Sequence, residues 1–204
     1  MNAVVNPPAE ERAPAKSRIL VNSNRLFYEY GIRNVGVDRI IAESSVTKAT
    51  FYKHYVSKDN LILEYIRGRS QAAKTAVQMS LSATTDPHAA LRAVILAQAE
   101  QMQGPGFRGS AFINAAAEFP EASDPVRLVI TAHREWLVDT LTELMRSLHH
   151  PVPGDAADDL VMILDGALAG AYTGDATACI AAMHRLTDTV LADARPGGRG
   201  AGQH

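Results

Sequence analysis

The sequence predicts an all-α protein, with a three-helix N-terminal part followed by a larger helical part. Three observations predict it. Apolar residues recur at spacings of three and four rather than two, glycine and proline gather at a few breaks between those stretches, and no segment reads as a strand. A chain of 204 residues, 47% hydrophobic and 21% charged, can bury a sizeable core and is too apolar for a disordered protein. No apolar run approaches the ~18 residues of a membrane span. Residues 1–15 (MNAVVNPPAEERAPA) carry neither a basic start nor an apolar stretch, so a cytoplasmic protein with no membrane partner is expected. Cys179 is the single cysteine, which excludes an intrachain disulfide and a cysteine metal cage.

Taken in order, residues 1–15 are expected to form a flexible start. Residues 16–30 place Ile19, Ser23, Leu26, Phe27 and Tyr30 on one side, and Gly31 follows as a left-handed cap. Residues 37–44 turn Val37, Ile40 and Ile41 inward. After about two residues, a second short helix from Thr47 to Tyr55 turns in Ala49, Phe51, Tyr52 and Tyr55. Ser57 caps a longer helix with Leu61, Ile62, Tyr65 and Ile66 inward. Asp86-Pro87 opens a helix to about Gln103, GPGFRG (104–109) is a break, and 110–119 is a short helix ended by Pro120. Asp124-Pro125 opens a long helix to about His150, Asp155 begins another that Gly174 ends, and Asp175 caps the last, to about Ala194. The glycine-rich residues 196–204 are expected to be disordered.

Charge divides the chain into the same two parts. Residues 16–74 hold eleven Lys and Arg against five Asp and Glu, a net of plus six; residues 75–204 hold eight against fifteen, a net of minus seven. A basic unit over 16–74 joined to an acidic one over 75–195 implies that only the first approaches a polyanion.

Two short helices joined by a tight turn, preceded by a supporting helix in the basic part, make the arrangement of a helix-turn-helix DNA reader. The string GIRNVGVDRIIAESSVTKATFYKHYVSKDNLI (31–62) resembles the N-terminal signature of TetR-type transcriptional regulators. The likeness covers roughly residues 17–66, with Leu26-Phe27, Gly31, VDRIIAESSVTKATFYKHY and SKDNL (57–61) at family spacing. The resemblance implies an N-terminal three-helix helix-turn-helix DNA-binding domain and a C-terminal helical domain for ligand binding and dimerisation. Lys48 and Thr50, at the start of the recognition helix, are the expected base readers, and Ala49 is small enough to let that helix approach a thymine methyl. Thr47, Tyr52, Lys53, His54 and Lys58 resemble phosphate-contacting positions, and Lys58 also stands at a helix N-terminus. Two departures stand out. Gly36 replaces a capping threonine that touches phosphate, and Asn22 and Ser23 replace a pair of alanines whose polar successors need partners if buried.

For the acidic part, the resemblance implies a homodimer, a small-molecule effector of unknown identity and a double-stranded DNA operator of near-palindromic sequence, with repression relieved by the effector. Leu160, Ile163, Leu164, Ala167 and Ala171 on one helix and Met183, Leu186 and Val190 on the next, with Gly166 and Gly170 allowing close approach, are the expected dimer face. The candidate ligand pocket comprises Met102, Phe107, Phe112, Asn114, Phe119, His133, Trp136 and Met145, largely apolar with a few polar groups. GFRGSAFINAAAEFP (106–120) resembles one subgroup in which cysteine often stands at the place of Ser110, so any thiol role there is lost. The sequence holds no HExxH, GxSxG or phosphate loop, and neither His133 with Glu135 nor His149-His150 has the spacing of a metal pair on one helix face. No catalytic residue, metal or cofactor is expected. A small all-helical enzyme and a helical interaction protein are the rival readings, and either would show no dependence of DNA binding on Lys48 or Thr50.

Overall fold

A computed structural model describes residues 13–194, and these form nine helices with no strand among them. In chain order they are α1 (Ala15–Tyr30), α2 (Val37–Glu43), α3 (Lys48–His54), α4 (Lys58–Ser82), α5 (Pro87–Gln103), α6 (Ala111–Glu118), α7 (Pro125–Ser147), α8 (Pro153–Thr173) and α9 (Ala176–Ala192). The tail expected over 196–204 and most of the flexible start lie outside the described residues. Residues 13–15 do not: Ala15 is already helical, and the Ala13 carbonyl accepts from Arg18 Nη1 at 2.8 Å.

Most helix starts are satisfied by the side chains that the sequence offers. Thr47, Ser57, Asp86, Ser110, Asp124 and Asp175 each accept a backbone N–H of the first turn, a contribution of about 1 kcal/mol apiece. Pro follows the cap in α5 and α7, where its missing N–H costs nothing. Gly31 ends α1 with φ +87°, a conformation that side chains oppose, and donates its N–H to the Phe27 carbonyl.

Two apolar cores result. The head core gathers Ile19, Leu26 and Phe27 from α1, Ile40 from α2, Phe51 and Tyr55 of the α3 region, and Leu61, Ile62, Tyr65 and Ile66 from α4. Its roof comes from elsewhere, because Ala115 of α6 and Val126 of α7 belong to the same cluster. The body core is built by α5, α7, α8 and α9. α4 runs unbroken for 25 residues, about 37 Å, so the expected division at 74/75 falls inside a single helix. Position 74 is where the charge changes sign, and charge marks partners rather than backbone breaks.

The two polar residues that stand in place of alanines in α1 are partnered. The buried Ser23 hydroxyl donates to the Leu20 carbonyl at 3.0 Å and Asn22 Nδ2 to the Arg18 carbonyl at 3.0 Å, so neither carries the penalty of an orphaned group. Tyr30, expected on the inner side, is instead 46% exposed and lies under the Arg39 guanidinium, 4.0 Å from its ring centroid.

Candidate nucleic-acid interface

α3 is seven residues long, too short to be stable alone, and is held by what it buries. Phe51 is fully buried and Tyr55, just past the helix, is 2% exposed. Its remaining surface faces outward: Thr47, Lys48, Ala49, Tyr52, Lys53 and His54 are all exposed, while Thr50 is half-buried. Two expected inward residues therefore point out. Ala49 and Tyr52 are exposed while Phe51 and Tyr55 are buried, and Tyr52 makes an edge contact with the Phe51 ring at 5.2 Å. Outward placement suits the groove contact expected of Ala49.

The turn before α3 spans Ser44–Thr47, longer than the two residues expected, because Ser44 and Thr47 act as the flanking caps. Ser45 takes φ +50°. Arg18 of α1 binds this turn, Nε to the Ser44 carbonyl at 3.0 Å and Nη2 to the Ser45 carbonyl at 3.1 Å. A supporting helix thus grips the turn that aims α3.

Three cations of the head are neutralised internally, and those on the outer side of α3 are not. Arg25 is paired with Glu29 and Glu43, Arg39 with Glu43, and Lys16 with Glu64. Lys48 and Lys53 have no ion pair among the described residues. A cationic face with neutralised flanks attracts a polyanion to one strip.

Two expected contacts have a different local setting. The Thr50 hydroxyl lies 2.8 Å from that of Thr47, whose oxygen also accepts the Thr50 N–H at 3.1 Å. Lys58 folds inward: its Nζ donates to the Ile32 carbonyl at 2.7 Å beside the Phe27 ring. Burial lowers its pKa, opposed by the nearby Glu118 and Asp59 carboxylates. Gly36 caps α2 by its extended backbone with no side-chain bond, and a Cβ there would meet nothing within 4 Å.

The head is fastened to the body by α6. Glu118 at its C-terminal end accepts two backbone N–H groups, from Ile32 at 2.8 Å and Arg33 at 2.6 Å, while Arg33 Nε donates to the Glu118 carbonyl at 2.8 Å. At the other end of α6, Tyr28 donates its hydroxyl to the Gly109 carbonyl and accepts the Arg108 N–H, both at 2.9 Å. Sequence reasoning missed this fastening because the partners stand about eighty residues apart.

The eight candidate pocket residues do not meet in one place. Phe112, His133 and Trp136 cluster, with Phe112 stacked on His133 at 4.0 Å and Trp136 at 5.6 Å. Buried Ser70 lies 3.1 Å from His133 Nδ1, and Lys74 sits over Trp136. Burial, helped by Lys74, holds the His133 pKa down at about 4. Met102 and Met145 are sealed in the body core, with Phe107 against it; Phe119 packs on the head core, and Asn114 Nδ2 donates to the Arg108 carbonyl at 2.8 Å. Apolar residues at helical spacing fill a core before they line a cavity, which is why spacing did not separate them.

The expected dimer face is likewise shared with the protomer's own interior. Leu160, Leu164, Ala167, Ala171 and Met183 are buried within the chain, leaving Ile163 and Val190 half-buried and Leu186 50% exposed. Gly170 serves the α8–α9 contact, since a Cβ there would stand 2.8 Å from Cys179 Sγ.

Comparison with known proteins follows the same lines. Residues 19–65 match a family model described as "Bacterial regulatory proteins, tetR family". A TetR-family transcriptional regulator from Streptomyces coelicolor is 37% identical, with a TM-score of 0.86 over 88% of this chain and 95% of that one. The transcriptional activator FasR of Mycolicibacterium smegmatis is 28% identical over 88 residues, and that match spans 43% of this chain but only 39% of FasR. A transcriptional regulator from Saccharomonospora viridis, solved in complex with choline, shares the fold at 19% identity and a TM-score of 0.67, over 86% of this chain and 95% of its own.

Proposed function

The chain belongs to the TetR family of bacterial transcriptional regulators, and from that premise we propose that it is a repressor whose homodimer binds a near-palindromic operator and leaves it when a small molecule occupies the body. A regulator of this family is not an enzyme. The observation that carries the DNA reading is the outward face of α3, where two unpaired lysines and a tyrosine stand on a short helix locked from behind by Phe51 and Tyr55. In this reading Lys48, Ala49 and Thr50 face base edges, with Thr50 exchanging its bond to Thr47 for one to a base. Thr47, Tyr52, Lys53 and His54 hold phosphates. Lys58 positions the Ile32 loop through its bond to that carbonyl and, as part of this proposal, gives its remaining N–H groups to a phosphate.

The effector is a small organic molecule, a class supported by the choline complex of the Saccharomonospora regulator. The aromatic cluster around His133 is its candidate contact in this chain. Repression rather than activation is the family's commoner outcome; FasR is an activator. Leu186, Ile163 and Val190 supply the exposed part of the dimer face.

Binding to operator and random duplexes across a salt series tests the DNA reading. Log affinity falls linearly with log salt, with a slope set by several phosphates. Lys48→Ala reduces discrimination between the two duplexes, whereas Lys53→Ala weakens both alike. Salt-independent binding, or identical behaviour of the two variants, defeats the assignment.

A further inference from the structure

Between α1, α4, α6 and the end of α8 lies a cavity of about 80 Å³ that shares only Asn114 with the eight candidate pocket residues. Its apolar wall is made by Phe27, Ile32, Ala111 and Ala115, and its polar wall by Arg108. The Arg108 guanidinium is spent on little. Nη1 donates to the Glu29 carbonyl and the group leans on the Tyr172 ring at 5.4 Å. Its Nε is shielded from solvent with no hydrogen-bond partner, and among the described residues no carboxylate pairs with it. A second guanidinium, that of Arg69, rests on Tyr28 at 4.7 Å and Tyr65 at 5.5 Å, two rings that also line the cavity, and its Nε is shielded and unpartnered as well.

The Glu118 carboxylate, beside Gly31 of the lining, is already committed. Glu118 spends its two oxygens on the Ile32 and Arg33 amides. A guanidinium offers five donors in a planar fork that matches a carboxylate, and a buried donor left unused is unfavourable. The site therefore sets the Arg108 guanidinium, with a donor in want of an acceptor, beside an apolar wall, while Arg69 lies behind two of the lining rings.

We propose that this cavity is a binding site for a short aliphatic monocarboxylate, the carboxylate on the Arg108 fork and the alkyl end against Phe27, Ile32, Ala111 and Ala115. Size sets the class. An empty apolar cavity of ~150 Å³ admits benzene, so a space of about 80 Å³ takes a molecule of two or three carbons. The site is additional to an effector contact at His133 and does not depend on the DNA reading.

The test is a melting series on the full chain with sodium acetate and propionate, against sodium chloride, nitrate and hexanoate at equal ionic strength. A ligand that prefers the folded state raises Tm in a saturable way. Acetate and propionate are expected to do so, and the other three salts are not. Arg108→Lys keeps the charge but removes the fork, and Ala111→Leu fills the space on a helix that tolerates leucine. Both, checked for folding by circular dichroism, are expected to lose the saturable response. No saturable response in the parent, an equal response to chloride or nitrate, an equal response to hexanoate, or an unchanged response in both variants overturns the proposal.

Discussion

Replacing Glu118 by alanine is the most direct test of how the head is held. Its carboxylate accepts the Ile32 amide at 2.8 Å and the Arg33 amide at 2.6 Å. A hydrogen bond to a charged group contributes roughly 1.5–3 kcal/mol. The Arg33 contact is exposed, and water recovers much of it; the Ile32 contact is partly buried and is not fully recovered. Glu118→Ala is therefore expected to cost about 2–3 kcal/mol, a fall of roughly 5–10 °C in Tm for a chain of this size. Glu118→Gln keeps one acceptor but turns an amide donor toward the second N–H, and is expected to cost about half as much. Urea unfolding followed by circular dichroism measures both, with an unchanged m-value showing that folding stability alone has moved. A loss below ~0.5 kcal/mol for Glu118→Ala, the range of an ordinary surface substitution, refutes the account of α6 as the fastening.

Gly36→Thr places a hydroxyl at the N-cap of α2, where a Cβ meets nothing and the backbone is already extended; stability should rise by about 0.5–1 kcal/mol, and DNA affinity should rise with it in a mobility-shift titration. The folded His133 pKa of about 4 lies below its unfolded value of ~6.5, so protons bind the unfolded chain first. Stability is then complete above pH 6.5 and falls as pH drops from there to 4, by about 2 kcal/mol after solvent screening, and His133→Phe should flatten that part of the pH profile measured by denaturant unfolding. Leu186→Glu should give a folded monomer in light scattering, whereas Leu160→Glu, at a position with no exposure, should unfold the chain; a parent protein that is already monomeric at micromolar concentration removes the interface.

Much of this architecture was legible residue by residue. Caps such as Asp86-Pro87, Asp124-Pro125, Ser57 and Asp175 announce helix starts through chemistry confined to three or four neighbours, and the structure places them there. The face of α3 was less so. Ala49 and Tyr52 share an apolar label with Phe51 and Tyr55, and in seven residues two turns of helix give periodicity little to average over. What escaped altogether depends on chain-distant partners: Glu118 with Ile32 and Arg33, Arg108 with Glu29, Lys58 with Ile32. The inward turn of Lys58 and the burial of Leu160 against its own chain have the same origin. Local pattern names which residues are charged or apolar, and tertiary packing decides which neighbour each one meets.

Because Ala115 and Val126 complete the apolar cluster beneath the first three helices, the DNA-reading unit is not a detachable cassette. A fragment cut after Ile66 would lose both residues from the buried cluster that holds Leu26, Phe27 and Tyr65. Grafting this unit onto a foreign C-terminal half requires carrying the stretch from Arg108 to Val126 along with it.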